Sequence, residues 1–121
     1  MKIIETKNAP QAIGPYSQGI ITGELVYTSG QIGINPSTGN IDETTIEGQT
    51  RQVIANIDAI LEAAGTDLSK VIKTTCFLNN ISDFAVFQIF PVHLPSHPRS
   101  GLRIRLYDLK RDGPSKPIPF I

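Results

Sequence analysis

Apolar residues recur along this chain at two periods, and the change from one to the other marks its elements. Between Thr44 and Gly65 the positions Val53, Ile57, Ile60, Leu61 and Ala64 fall three or four residues apart. That spacing gathers side chains into one stripe along a helix. Thr44 with Glu47 three residues later predicts a capping box at its start, and Gly65 predicts its stop. Arg51, Asp58 and Glu62 lie largely off the stripe and read as a solvated face. Elsewhere the pattern is that of strands. Lys2–Thr6, Ser17–Thr22, Leu25–Ile34 and Lys70–Leu78 are rich in β-formers, with Gly30 and Gly33 interrupting the third, and Thr22-Gly23-Glu24 reads as a hairpin turn. Asn35–Asn40 is a loop by composition. Asn79–Ser82 turns the chain, with Ser82 predicted as the N-cap of a second helix that carries Phe84 and Phe87 on one face and ends by Pro91. Leu102, Ile104 and Leu106 then alternate with Arg103 and Arg105, the period of a half-buried strand, and counting back by twos places Gly101 and Arg99 on the arginine face. The segment Asp112–Pro119 is poor strand material, because proline cannot donate to a ladder.

This order predicts an α+β domain in which two helices cover one face of a mixed β-sheet. The opposite face needs cover as well. A chain of 121 residues is expected to form a single domain, 1–121, and to bury only about two-thirds of its unfolded surface. Self-association through the uncovered face is the economical remedy.

Charge narrows the functional classes. Eleven basic and eleven acidic residues cancel, which argues against a nucleic-acid groove built from clustered Lys and Arg. No apolar run suits a bilayer span, and no charged-then-apolar leader opens the chain, so neither nucleic acid nor membrane is an expected partner. One cysteine, Cys76, rules out an internal disulfide and fits a reducing, cytoplasmic setting. It lies among apolar neighbours and reads as a small core residue. His93 and His97 are four apart but flank Pro95, so they share no helical face and no metal site is expected.

Candidate chemistry begins at Ile13-Gly14-Pro15-Tyr16-Ser17-Gln18-Gly19. Gly14 and Pro15 fix a bend just before a strand, so Tyr16 sits at a rigid corner. A tyrosine there either caps the edge of the core or aims its hydroxyl into a site. Together with Tyr27-Thr28-Ser29-Gly30-Gln31-Ile32 and Asn79-Asn80-Ile81-Ser82-Asp83-Phe84, in that order, this stretch resembles the YjgF/RidA family of reactive-intermediate deaminases. The resemblance runs over residues 1–90. It implies a chorismate-mutase-like α+β fold, a homotrimer, and pockets between subunits. It also implies hydrolysis of 2-imino and enamine acids, such as 2-iminobutanoate and 2-iminopropanoate, to 2-oxo acids and ammonia, with no cofactor and no metal.

By the same resemblance Tyr16 belongs to the pocket, and Ser29 and Gly30 form the turn whose backbone N–H meets the substrate carboxylate. Arg99, in His97-Pro98-Arg99-Ser100, is similar to the family's carboxylate-binding arginine, although the family's run reads Pro-Ala-Arg-Ser. A planar guanidinium suits bidentate binding of a carboxylate. Arg103 and Arg105 are runners-up, since a register slip of one pair would exchange their places with it.

Beyond Phe87 the chain departs from the family. Gln88 follows directly where an Asn is usual, Pro91 interrupts the helix, and Gly101 stands where a thiol is common. No glutamate follows Glu62, whereas the family's last strand carries one assigned to water activation; Asp108 and Asp112 are the only late carboxylates. The fit lapses at single gaps and resumes between them, as short insertions or deletions in a coding sequence would produce. An intact mass matching these residues overturns that explanation. If the tail is native, a non-catalytic module that binds a small ligand in the same pocket becomes the alternative to an enzyme. Ribonuclease action is disfavoured by the neutral charge and the lack of a histidine pair placed for acid–base work.

Overall fold

The computed structural model describes residues 1–83 and 103–108, which fall into two compact units, one ending at Asp67 and one beginning at Leu68. The first unit holds three strands, β1 (Lys2–Ile4), β2 (Gly19–Thr22) and β3 (Leu25–Thr28), followed by the helix α1 (Ile46–Ala63). The strands form one antiparallel sheet in the order β1-β2-β3. Ile3 pairs with Ile20 and Ile20 with Tyr27, so these three form a row on one face; Ile4, Gly19 and Thr28 form a row on the other. A two-residue turn, Gly23-Glu24, joins β2 to β3. Gly23 has φ +58° and Glu24 has no positive φ, which is the II′ arrangement that needs glycine first.

Helix α1 packs on the Ile4 face. Ile4, Ala9 and Ile60 make the buried core, with Ile21, Val26, Ala59 and Ala64 against it. The sheet comes so close that a methyl group on Gly19 would lie 3.2 Å from Ile60 Cγ2 and 3.0 Å from the Tyr27 carbonyl oxygen. Leu61 is buried too, whereas Val53 and Ile57 are only half buried. On the opposite face of the sheet Ile3, Leu25 and Tyr27 remain exposed.

The predicted capping box is displaced by one residue. Thr45, not Thr44, is the N-cap, and its Oγ accepts from Gly48 N–H at 3.1 Å. Its third helical position is therefore Gly48, which has no side chain to reach back. The Glu43 side chain occupies the space where a Cβ of Gly48 would stand. Glu47 remains in the first turn, where a carboxylate complements the helix dipole. The predicted stop is present: Gly65 has φ +82°, its N–H donates to the Glu62 carbonyl at 3.0 Å, and Thr66 N–H donates to the Leu61 carbonyl at 3.0 Å. Those two bonds define a Schellman motif.

In the second unit a 3₁₀ turn at Leu68–Lys70 precedes β4 (Lys73–Leu78), which pairs in parallel with β5 (Arg103–Asp108). Along β4, Lys73, Thr75 and Phe77 are exposed while Thr74, Cys76 and Leu78 are half-buried or buried. Among the described residues the strands therefore make two sheets, one antiparallel and one parallel, and with one α-helix the architecture there is α+β. Ser82 lies inside a 3₁₀ turn, Ile81–Asp83, and its N–H and hydroxyl both donate to Asn80 Oδ1, at 3.2 and 2.8 Å. Asn80 supplies the turn-initiating oxygen. The predicted second helix with Phe84, Phe87, Gln88 and Pro91, the histidines His93 and His97, Arg99 with Ser100 and Gly101, and the segment Asp112–Pro119 lie outside the described residues. Among those described, no helix is long and apolar enough to cross a membrane.

Candidate functional site

The corner predicted at Tyr16 is a γ-turn. Tyr16 N–H donates to the Gly14 carbonyl at 2.8 Å across Pro15, whose ring fixes φ near the value such a turn needs. The tyrosine ring folds back over Gly14, where an added Cβ would meet Cε1 at 3.3 Å. Tyr16 is 53% exposed, so it does not cap the core edge. It lines a shallow, open recess of about 170 Å³ with Glu5, Gln11, Ala12, Ser17 and Gln18.

Gln18 holds this corner in place. Its side chain is 4% exposed and fully engaged with the segment that follows β1. Oε1 accepts from Thr6 N–H at 2.7 Å, while Nε2 donates to the carbonyls of Thr6 at 3.0 Å, Ala9 at 3.2 Å and Pro10 at 2.8 Å. Its own carbonyl accepts twice from Ser29, from N–H at 3.0 Å and from the hydroxyl at 3.1 Å. Gly19 pairs with Thr28 in the β2–β3 ladder, so these bonds continue the hairpin beyond its last registered pair. Tyr16, Ser29 and Gly30 are thereby brought to the same end of the hairpin, opposite the Gly23-Glu24 turn. Ser29 is half-buried, Gly30 is exposed, and nothing lies within 4 Å of a Cβ built on Gly30.

The chain beyond Gly30 was predicted to continue as strand through Ile34, but β3 ends at Thr28. Asn56, on α1 and fully buried, takes over the role of a ladder partner. Its Nδ2 donates to the carbonyls of Ile32 at 3.2 Å and Ile34 at 2.9 Å, and its Oδ1 accepts from Gln52 Nε2 at 2.9 Å. Gly33 backs onto the helix closely enough that a Cβ there would stand 3.3 Å from the Gln49 Cα. Neither Gln18 nor Asn56 was singled out by sequence reasoning. The signal available was a polar residue in a place of burial: Gln18 directly before a strand, and Asn56 on the apolar side of the helix, between Val53 and Ile60.

Arg99 lies outside the described residues, as does Asp112. Arg103 and Arg105 are on β5, in register with Lys73 and Thr75, and Asp108 ends that strand opposite Leu78. Cys76 is half-buried on β4, and burial pushes its thiol pKa up, which keeps it protonated and a poor nucleophile. No group of three His, Cys, Asp or Glu side chains placed to hold a metal occurs among the described residues.

The fold is that of a small α+β protein of the RidA type. Residues 6–99 match the family described as endoribonuclease L-PSP, and the chain belongs to that family, which includes the YjgF and RidA proteins. It is 59% identical over 87 residues to a putative regulator, AldR, of Lactococcus lactis, covering 72% of this chain and 69% of that one. It is 48% identical over 84 residues to the 2-iminobutanoate/2-iminopropanoate deaminase of Escherichia coli K12, covering 69% of this chain and 65% of that one. Among solved structures, RidA from an Antarctic Psychrobacter superimposes with a TM-score of 0.80 at 38% identity, over 89% of this chain and 85% of that one.

Proposed function

We propose that this protein hydrolyses 2-imino acids, 2-iminobutanoate and 2-iminopropanoate among them, to 2-oxo acids and ammonia. The observation that supports this reading most is the hairpin end that holds Tyr16, Ser29 and Gly30, with an open recess beside Tyr16. The 48% identity to a named deaminase of that specificity supports it. Arg99 clamps the substrate carboxylate, the open side of Gly30 lets its N–H assist, and Tyr16 shapes the pocket. Water adds to the C=N carbon and one of its protons passes to nitrogen, giving a carbinolamine. Its hydroxyl proton then passes to nitrogen as the C–N bond breaks, releasing ammonia and leaving the carbonyl oxygen of the 2-oxo acid. Imines hydrolyse unaided, so orientation and one placed water account for the acceleration required. With no glutamate after Glu62 the chain lacks the family's general base, a group that contributes roughly 10²–10⁴-fold. Turnover is accordingly slower than in relatives that carry it.

Residues 1–121 act as one domain in a cytoplasmic homotrimer. A recess of about 170 Å³ is small beside the roughly 300–1,000 Å³ of ordinary ligand pockets. A second copy completes it, and Ile3, Leu25 and Tyr27, exposed on the face opposite the core, supply apolar surface for that contact. The test is coupled turnover, with threonine dehydratase generating the imine and its loss followed beside the buffer rate. The expected result is acceleration by this protein and none by Arg99→Ala. A folded sample that binds a 2-oxo acid saturably yet leaves the rate at the buffer value supports the second reading, a ligand-sensing module. The absent late glutamate and the regulator-named relative favour that alternative.

A further inference from the structure

We propose that one face of the β4–β5 pair binds an aromatic phosphate ester, with a nucleoside monophosphate as its type. That binding is independent of the deaminase reading. In a parallel pair, residues in register share a face of the sheet. Lys73, Thr75 and Phe77 are the exposed positions of β4, and their partners on β5 are Arg103, Arg105 and Tyr107. The face therefore carries three rows: two cations, then a hydroxyl beside a cation, then two aromatic residues. The other face pairs Thr74 with Ile104, Cys76 with Leu106 and Leu78 with Asp108, and its β4 residues are half-buried or buried. Asp108, the one acid of the two strands, thus belongs to the face opposite the three cations.

Neighbouring strands lie about 4.8 Å apart, and successive rows on one face about 6.6 Å. Lys73, Arg103 and Arg105 are spaced for a single phosphate. Like charges set side by side across two strands destabilise a sheet, and neither strand supplies a carboxylate to this face. A bound dianion offsets that repulsion. Guanidinium and ammonium groups are the side chains that suit phosphate oxygens, and Thr75 adds a hydroxyl among them. Zero net charge argues against a groove that follows many phosphates, but one phosphate needs only these cations. Inorganic phosphate would leave the third row idle. An ester whose phosphate meets the first two rows carries its base over Phe77 and Tyr107, and aromatic side chains stack on any base.

Calorimetry on the full chain tests this with three probes: AMP, inorganic phosphate and adenosine. AMP is expected to bind about tenfold tighter than either fragment, since only AMP meets both parts of the face. Lys73→Gln is expected to weaken AMP and inorganic phosphate alike, by about tenfold. Phe77→Ser should weaken AMP by about fivefold and leave inorganic phosphate as it was. Binding of AMP no tighter than that of inorganic phosphate would remove the aromatic row from the site and overturn the inference. So would undiminished AMP binding in a Phe77→Ser variant with wild-type circular dichroism. Displacement of AMP by 2-oxobutanoate would make these arginines a carboxylate clamp, and would overturn it too. A wild type that binds none of the three at millimolar concentration ends it outright. The wild-type affinities decide the matter even where a variant fails to fold.

Discussion

At the scale of single residues, the site owes its shape to an amide that touches no ligand in the proposed mechanism. Gln18 is buried because each of its polar atoms is matched, and an unmatched group there would cost more than its bonds return. Replacing it with leucine preserves bulk but strips partners from Thr6 N–H and from the carbonyls of Thr6, Ala9 and Pro10. Gln18→Leu is therefore expected to lose about 2–4 kcal/mol of stability in urea titration. Gln18→Glu should do no better, since it sets a carboxylate oxygen against three carbonyls that now receive N–H. A glutamate variant as stable as the wild type would show that the donors of Nε2 do not hold the segment. The tyrosine corner was legible from Gly14 and Pro15, because both residues restrict the backbone locally. Gln18 was not, since a side chain that bonds to distant main chain leaves no periodic trace.

At the scale of elements, the helix was read almost whole and its first residue misplaced. Its stripe and its glycine stop both depend on spacing, which a sequence displays directly. Two adjacent threonines offer nearly the same cap, and spacing alone cannot choose between them; the Glu43 side chain over Gly48 chooses Thr45. Thr45→Ala is expected to cost about 1 kcal/mol, and Thr44→Ala only a few tenths. Thermal unfolding of the two variants decides it, and a larger loss at Thr44 would return the cap to the predicted position. The strand predicted through Ile34 stops early for a related reason. Its residues suit a strand, yet Asn56 satisfies the carbonyls of Ile32 and Ile34 that a neighbouring strand would otherwise take. A ladder and a side-chain amide offer the backbone the same bonds.

At the scale of the whole molecule, one face of the three-stranded sheet carries the core and the other leaves Ile3 57%, Leu25 45% and Tyr27 39% exposed. The need for cover was legible from the shortage of helices, though the partner surface was not, because nothing in one chain's pattern names what lies against it. Under the trimer proposed above, Ile3→Lys with Tyr27→Glu places charges in the contact without touching the core row of Ile4 and Gly19. Sedimentation velocity is expected to show the wild type as a trimer and this pair as monomer, with turnover reduced alongside. A wild type that sediments as a monomer at micromolar concentration would remove the trimer.

Gln18 and Asn56 share a property with a consequence for how this protein can change over generations. Apart from the Gln52–Asn56 contact, both amides grip only main-chain atoms: one N–H and three carbonyls in residues 6–10, and two carbonyls in residues 32–34. Every carbonyl they hold would be present whatever side chain stood beside it. The segments bordering the recess and the Gly30 turn are thus held by grips blind to their sequence. Glu5, Ala12 or Ile32 can be exchanged with these bonds left intact, whereas Gln11 adds a side-chain bond of its own to the Thr6 carbonyl, at 2.8 Å. Drift can re-line such a pocket for a new small molecule one residue at a time, while two buried amides keep its outline.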